Sequence, residues 1–347
     1  MNNFNIQNLV RKNVLNMQPY SSARDEFKDF DQEMIFLDAN ENPFENGINR
    51  YPDPQQKTLK KELASLKKVP ENQILLGNGS DEVLDLLFRA FCEPYVDNVI
   101  TLPPTYGMYG VLANLNAVEN KEVILNDDFQ PNVEAILNAA NENTKMLFLC
   151  SPNNPTGNSF SDESVVTLLQ NFKGIVVIDE AYIDFSKKES WLIEMGDYPN
   201  LVVTQTLSKA FGMAGIRLGI LYAAPVITAV LNKIKPPYNV NILTQQKALE
   251  RVLDTATITK EITAIIAEKE RITGRLAALD FVQKVYPTDA NFILIKVDDA
   301  TKRYRQLLEK NIVIRNRSTQ PLCENCLRIT IGTATENDNL IKALQSL

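Results

Sequence analysis

Residues 201–219 read LVVTQTLSKAFGMAGIRLG. Leu201-Val202-Val203 opens the stretch as a β-branched apolar run of the kind that forms a buried strand. Thr206 and Ser208 then place two hydroxyls at alternate positions, and Lys209 follows among Ala, Phe, Gly and Met. Arg217 lies eight residues on, between Gly215 and Gly219. An ammonium in such surroundings is expected to lose water, which disfavours its charged form. The resulting amine is a nucleophile able to form a Schiff base with a carbonyl. A loop lysine on the surface fits the same letters, so the rest of the chain must supply the partners.

At 347 residues the chain is too long for one small core, and two domains are expected. Apolar residues make up 44% and charged residues 23%, the balance of an ordinary soluble globular protein. The net charge of −7 argues against general nucleic-acid binding, and with no apolar leader in residues 1–14 a cytoplasmic protein is expected. No apolar run is long enough for a membrane span, since Pro225 interrupts the longest, near residues 218–231. There is no histidine. That excludes Ser-His-Asp and Cys-His machinery and histidine-ligated metals, and leaves Lys, Asp, Glu, Tyr or Cys as bases. Cys323 and Cys326 form a single CxxC without a second pair, so no metal site is expected there.

From Ile74 to Ile220 short apolar runs alternate with helical spacing. Ile74-Leu75-Leu76, Val99–Leu102, Val123-Ile124-Leu125, Met146–Cys150, Ile175–Asp179, Leu201–Gln205 and Leu218–Ala223 read as strands. Such alternation predicts a mainly parallel sheet covered on both faces, with ligands at the carboxyl ends of its strands. Ile35-Phe36-Leu37 also reads as a strand, and Asp53-Pro54-Gln55-Gln56 as the start of a helix with a capping box. Beyond Pro236-Pro237 a long helical pattern over residues 241–279 precedes further strands at Phe292–Ile295, Ile312–Arg315 and Leu327–Ile331, a smaller α+β domain. The expected division is an amino-terminal arm over residues 1–45, a large domain over 46–237 and a small domain over 238–347.

The polar motifs fall just after strand ends. Gly77-Asn78-Gly79-Ser80-Asp81 suits a phosphate through free backbone N–H groups, although it also fits an ordinary glycine turn with a serine cap. Ser151-Pro152-Asn153-Asn154-Pro155-Thr156-Gly157 can aim an Asn amide into a site. Asp179 ends a buried strand, where a carboxylate is costly unless a cation meets it; a helix cap is the plainer alternative. An aspartate holding a protonated ring nitrogen is what a pyridoxal cofactor needs to act as an electron sink, and Tyr182 could reach the same ring.

Together with the phrases LDANENPF, RYPDP, PPTYGMY, DEAYIDF and CLRITIG, these motifs make the chain resemble the fold type I pyridoxal-phosphate aminotransferases. Residues 206–215 fit the class-II aminotransferase signature, and the phrases are most similar to the branch acting on histidinol phosphate in histidine biosynthesis. The resemblance implies pyridoxal 5′-phosphate as cofactor, histidinol phosphate and glutamate/2-oxoglutarate as substrates, and a homodimer. It implies Lys209 as Schiff-base lysine and proton shuttle, Asp179 on the pyridinium nitrogen, Asn154 and Tyr182 on the ring hydroxyl, and Tyr106 stacked on the ring. Gly79, Ser80, Asp81, Thr206, Ser208 and Arg217 would surround the cofactor phosphate, with Tyr51 reaching the phosphate of the other subunit. Arg315 and Arg328, with Tyr20 and Asn154, would hold the substrate. An aromatic aminotransferase and a threonine-phosphate decarboxylase share these features, and a non-catalytic cofactor-binding regulator is the alternative outside enzymes.

Overall fold

The computed structural model describes residues 5–20 and 35–347. Of the arm expected over residues 1–45, residues 1–4 and 21–34 therefore lie outside the described residues.

Seven strands form the large sheet: β1 (Ile74–Asn78), β2 (Asn98–Thr101), β3 (Glu119–Glu122), β4 (Thr144–Cys150), β5 (Ile175–Asp179), β6 (Leu201–Thr206) and β7 (Leu218–Ala223). Their order is β1-β7-β6-β5-β4-β2-β3, with only β7 antiparallel to its neighbours. β5, β6 and β7 are buried along their whole length, which is why their sequences run apolar without alternation. The expected mainly parallel sheet is thus present.

Helices α1 (Lys12–Asn16), α2 (Lys57–Lys67), α3 (Ser80–Phe91), α4 (Met108–Leu115), α5 (Val133–Ala139), α6 (Asp162–Asn171) and α7 (Pro225–Ile234) accompany this sheet, followed by α8 (Ile242–Leu253) and α9 (Thr255–Ala277). One face packs Leu84, Leu87, Phe88 and Phe91 of α3 with Tyr109 of α4 and Ile227 of α7. The other packs Leu59 and Leu63 of α2, Leu168 of α6 and Ala248 of α8. A second sheet, order β10-β11-β9-β8, contains β8 (Val282–Val285), β9 (Phe292–Val297), β10 (Arg315–Asn316) and β11 (Cys326–Thr330). It is backed by α9, α10 (Ala300–Glu309) and α11 (Ala334–Gln345), around a core of Ile272, Leu276, Ile293, Ile295, Leu327 and Leu340.

Several local expectations change. Val123-Ile124-Leu125 is not a strand; the edge strand is the charged Glu119–Glu122, held by parallel pairing to β2. Ile35-Phe36-Leu37 lies in no strand. Asp53 does not cap its helix directly, because Pro54 and Gln55 form a turn and the helix begins at Lys57. Its carboxylate still accepts from the N–H groups of Gln55 and Lys57. The long pattern over 241–279 divides at Asp254, whose side chain accepts from Thr257 N–H and starts α9. The cores do not separate at Pro236-Pro237: Val240, Ala248, Val252 and Ile258 belong to the large-sheet core, and the second core begins on α9 at Ile272.

Candidate active site

β1, β4, β5 and β6 run the same way, so their carboxyl ends share one rim. The cleft there is lined by Ser80, Asp81, Tyr106, Cys150, Asn154, Asp179, Ala181, Tyr182, Thr206, Ser208, Lys209 and Arg217. The residues expected around the cofactor from five separate stretches of sequence thus converge in space.

Asp179 forms the floor. It is buried, and Tyr109 Oη donates to its Oδ2 at 2.7 Å while Ala181 N–H donates to Oδ1 at 3.2 Å. Burial pushes the carboxyl pKa up, and the Tyr109 and Ala181 hydrogen bonds pull against that rise. Among the described residues no lysine or arginine forms an ion pair with it. Tyr109 is not among the site residues expected from the sequence, yet it is the side chain that holds Asp179. Its signal was the second tyrosine of PPTYGMY, one helical turn after Tyr106. Its ring stacks on Phe148 of β4 at 4.9 Å, and Phe148 stacks on Phe88 of α3 at 5.3 Å. This core stack fixes the hydroxyl beneath the carboxylate. Removing Phe148, fully buried in its middle, would cost about 3–5 kcal/mol.

A cup lies where β1 meets α3. Gly79 takes φ +82° and caps α3, whose first N–H groups face the cleft without intrahelical partners. Gly219 lets this terminus approach the sheet, since a Cβ there would stand 2.3 Å from Ser80 N. Arg217 bends back over Gly79, and its Nη2 lies 3.4 Å from Asp81 Oδ2. Asp81 Oδ1 also accepts from Tyr106 Oη at 3.1 Å. Asp81 lines the cup, but its carboxylate is engaged in steadying Tyr106 and Arg217. Thr206 Oγ1 accepts from the Ser208 N–H at 3.1 Å and shapes the turn that delivers Lys209.

Lys209 is more open than its neighbours in the sequence suggested: the side chain is exposed in the cleft. The cleft walls still push its pKa down by desolvation, aided by Arg328 and Arg217, while Asp179 and Asp81 pull it up. Its Nζ lies 5.7 Å from the centre of the Tyr182 ring. Tyr182 is buried and packs edge-on against Phe292 of the small sheet at 5.1 Å.

Asn154 is aimed by its neighbour. Asn153, fully buried, donates to the Pro104 carbonyl and to Thr156 Oγ1, both at 2.8 Å, and so fixes the loop after β4. Asn154 Oδ1 then accepts from Arg328 Nη1, leaving its amide N–H groups free to donate. Arg328 comes from β11; it is not among the residues lining the cleft, but through Asn154 it brings the small sheet to the cleft's edge.

Not every expected residue converges. Tyr20 is 73% exposed and is not among the residues lining the cleft. Arg315 is directly opposite Arg328 in the β10–β11 register, but its side chain is exposed at the rim. Tyr51 lines a different depression, stacked on Tyr238 at 4.4 Å beside Asn241 and Leu243.

Histidinol-phosphate aminotransferase of Flavobacterium johnsoniae is 70% identical over 348 residues, covering all of both chains. The crystal structure of histidinol-phosphate aminotransferase from Clostridium acetobutylicum superposes with a TM-score of 0.80 at 26% identity, over 86% of this chain and 90% of that one. The enzyme from Sinorhizobium meliloti, solved in complex with pyridoxal-5′-phosphate, gives a TM-score of 0.78 at 25% identity, over 86% and 82%. Matched by the family model over residues 27–344, the chain belongs to the class I and II aminotransferases.

Proposed function

We propose that this chain is a pyridoxal-phosphate-dependent transaminase that exchanges an amino group between histidinol phosphate and 2-oxoglutarate, a step of histidine biosynthesis in the cytoplasm. The observation that carries this reading is the 70% identity, end to end, to a histidinol-phosphate aminotransferase. No helix among the described residues is long and apolar enough to cross a membrane.

The donor set fits the cofactor. Asp179 is a buried carboxylate with neutral donors only, the environment that favours a protonated ring nitrogen above it. The amino terminus of α3, with Ser80, Ser208 and Arg217 around it, suits a phosphate. When bound, pyridoxal phosphate supplies a carbonyl carbon for amines and a cationic ring that accepts the electron pair left when Cα loses its proton. Tyr106 would lie against the ring face, and the Asn154 amide and Tyr182 hydroxyl would hold the ring oxygen. Lys209 would anchor the cofactor and, once displaced by the substrate amine, its nitrogen would take the Cα proton and return it to the cofactor carbon on the far side of the substrate nitrogen. A depressed pKa suits that task, because the amine must be neutral to accept the proton.

Arg328, with Arg315, would hold the acidic end of the substrate, since a guanidinium fork fits both carboxylate and phosphate. A homodimer would account for Tyr51, which faces away from the cleft of its own chain, and for Ile35, Leu37 and Phe44 lying more than 79% exposed nearby. Sedimentation should show a dimer; a fully active monomer would contradict that part.

The test is kcat/KM for histidinol phosphate against phenylalanine and threonine phosphate, with 2-oxoglutarate as acceptor. Histidinol phosphate should exceed both by about 100-fold or more. Dominant turnover of phenylalanine, or carbon dioxide release from threonine phosphate, would overturn the substrate assignment and leave the family intact.

A further inference from the structure

β10 and β11 carry a third arginine beside Arg315 and Arg328. Arg315 pairs with Arg328 and Asn316 with Leu327. The next position brings Arg317 opposite Cys326, where the Arg317 N–H donates to the Cys326 carbonyl at 2.8 Å. Opposed residues, and those two positions along, point to one face of a sheet. Leu327 and Ile329 occupy the opposite face, in the small-sheet core. Arg328 shows where its face looks, because Nη1 reaches Asn154 at the cleft. Arg315, Arg317 and Arg328 therefore share the face turned toward the cleft.

This face is short of anions. Among the described residues no carboxylate forms an ion pair with any of the three. The Nε atoms of Arg317 and Arg328 are buried without a partner among the described residues, as are Ser318 Oγ and Gln320 Oε1. Like charges directly opposed across strands repel, and buried unpaired cations are costly. Burial and the neighbouring Arg317 push Arg328 down to about 10, and Arg317 is itself pushed down by burial and Arg315. Three guanidinium groups without an ionic partner among the described residues suit an anion of more than one charge.

We propose that Arg317 is a further substrate-contacting residue that, together with Arg328, binds the phosphate of a phosphate-monoester amine and sets its preference over carboxylate substrates. This rests on the transaminase reading above. A phosphate monoester carries close to two charges and three acceptor oxygens, enough for two guanidinium forks. A carboxylate of glutamate has one charge and two oxygens, which a single fork satisfies. Both donors can thus use Arg328, and only the phosphate requires Arg317.

The experiment uses the holoenzyme, in which the cofactor phosphate would occupy the cup at α3, with the variants Arg317→Gln and Arg317→Lys. The histidinol phosphate and glutamate half-reactions are followed separately through the cofactor absorbance, with inorganic phosphate as inhibitor of the glutamate half-reaction. Arg317→Gln should lower kcat/KM for histidinol phosphate by about 10- to 100-fold, mainly through KM. Arg317→Lys should recover part of the loss. Glutamate should change by less than about 3-fold, and phosphate inhibition should weaken in step with histidinol phosphate. An equal fall in both half-reactions would make Arg317 structural, and no change in either would remove it from the site. If the unaltered enzyme does not turn over histidinol phosphate, the substrate reading fails, while phosphate inhibition still decides whether Arg317 contacts an anion.

Discussion

The floor and the far wall of the cleft are built with opposite deficits. On the floor, Asp179 is a buried carboxylate held by a tyrosine hydroxyl and a backbone N–H. On the wall, Arg317 and Arg328 carry buried guanidinium nitrogens with no partner. Among the described residues, one region lacks a cation and the other lacks an anion. The floor stands on the large sheet, where the β5 ladder and the Phe88–Phe148–Tyr109 stack fix each atom. The wall stands on the small sheet, with Arg328 on the interior strand β11 and Arg317 directly after the two-residue edge strand β10. The contrast separates chemistry from selectivity. A floor on the large sheet suits a cofactor ring that stays in place, and a wall brought in by the second sheet suits substrates that take turns.

Asp179→Asn should break the floor most severely. An amide cannot stabilise a protonated ring nitrogen, so the electrostatic help for carbanion formation is lost. We expect kcat to fall by about 10³-fold or more, in the range for removal of a preorganised charge from a site. Steady-state kinetics with the absorbance of bound cofactor checks this, and activity within 10-fold of the parent would show that the floor charge is not used. Tyr109→Phe should act in the same direction but less. It keeps the stack on Phe148 and removes one donor from Asp179, about 1.5–3 kcal/mol for a bond to a charged acceptor. A fall in kcat of about 10-fold is expected, with a lower urea midpoint. Unchanged stability would mean that another donor replaces the hydroxyl.

Much of the floor was legible in the sequence because it is made of local motifs at strand ends. A strand covered on both faces reads as an unbroken apolar run, so the polar residue that ends it stands out, as Asp179 does after Ile175–Ile178. The wall was less legible. Arg315 and Arg328 came from family likeness, while Arg317, two positions from Arg315, has no meaning until strand pairing places it on the cleft face. Tyr109 was hidden because a buried tyrosine on an amphipathic helix looks like core. β3 was missed because Glu119–Glu122 has no apolar residue, and its pairing to β2 decides its state. The setting of Lys209 was misjudged in degree, since small apolar neighbours in sequence do not close over a side chain that opens into a cleft.

Glu180, next to Asp179, sharpens the comparison with the smallest expected effect. Its carboxylate is also buried, yet it accepts from the Ser190 hydroxyl at 2.5 Å, the Trp191 N–H at 2.7 Å and the Gln205 amide at 2.9 Å. Saturated with donors and turned away from the cleft, it serves the fold. Burial raises its pKa from 4.5 to about 6, against the opposing pull of Ser190, Gln205 and Trp191. The folded state therefore holds this proton more tightly than the unfolded state does. Its contribution to stability is full below about pH 4.5 and is lost as pH rises through about 6. At about 1.4 kcal/mol per pKa unit the loss amounts to about 2 kcal/mol. Glu180→Gln removes this titration, so urea unfolding of parent and variant across the pH series should converge in one direction only. Relative to the variant, the parent should lose about 2 kcal/mol between pH 4.5 and 6 and then run parallel. Parallel curves throughout would show that the three donors hold the carboxylate ionised at no cost. Activity at neutral pH should stay close to that of the parent, because a carboxylate already saturated by the protein has nothing left to offer a ligand.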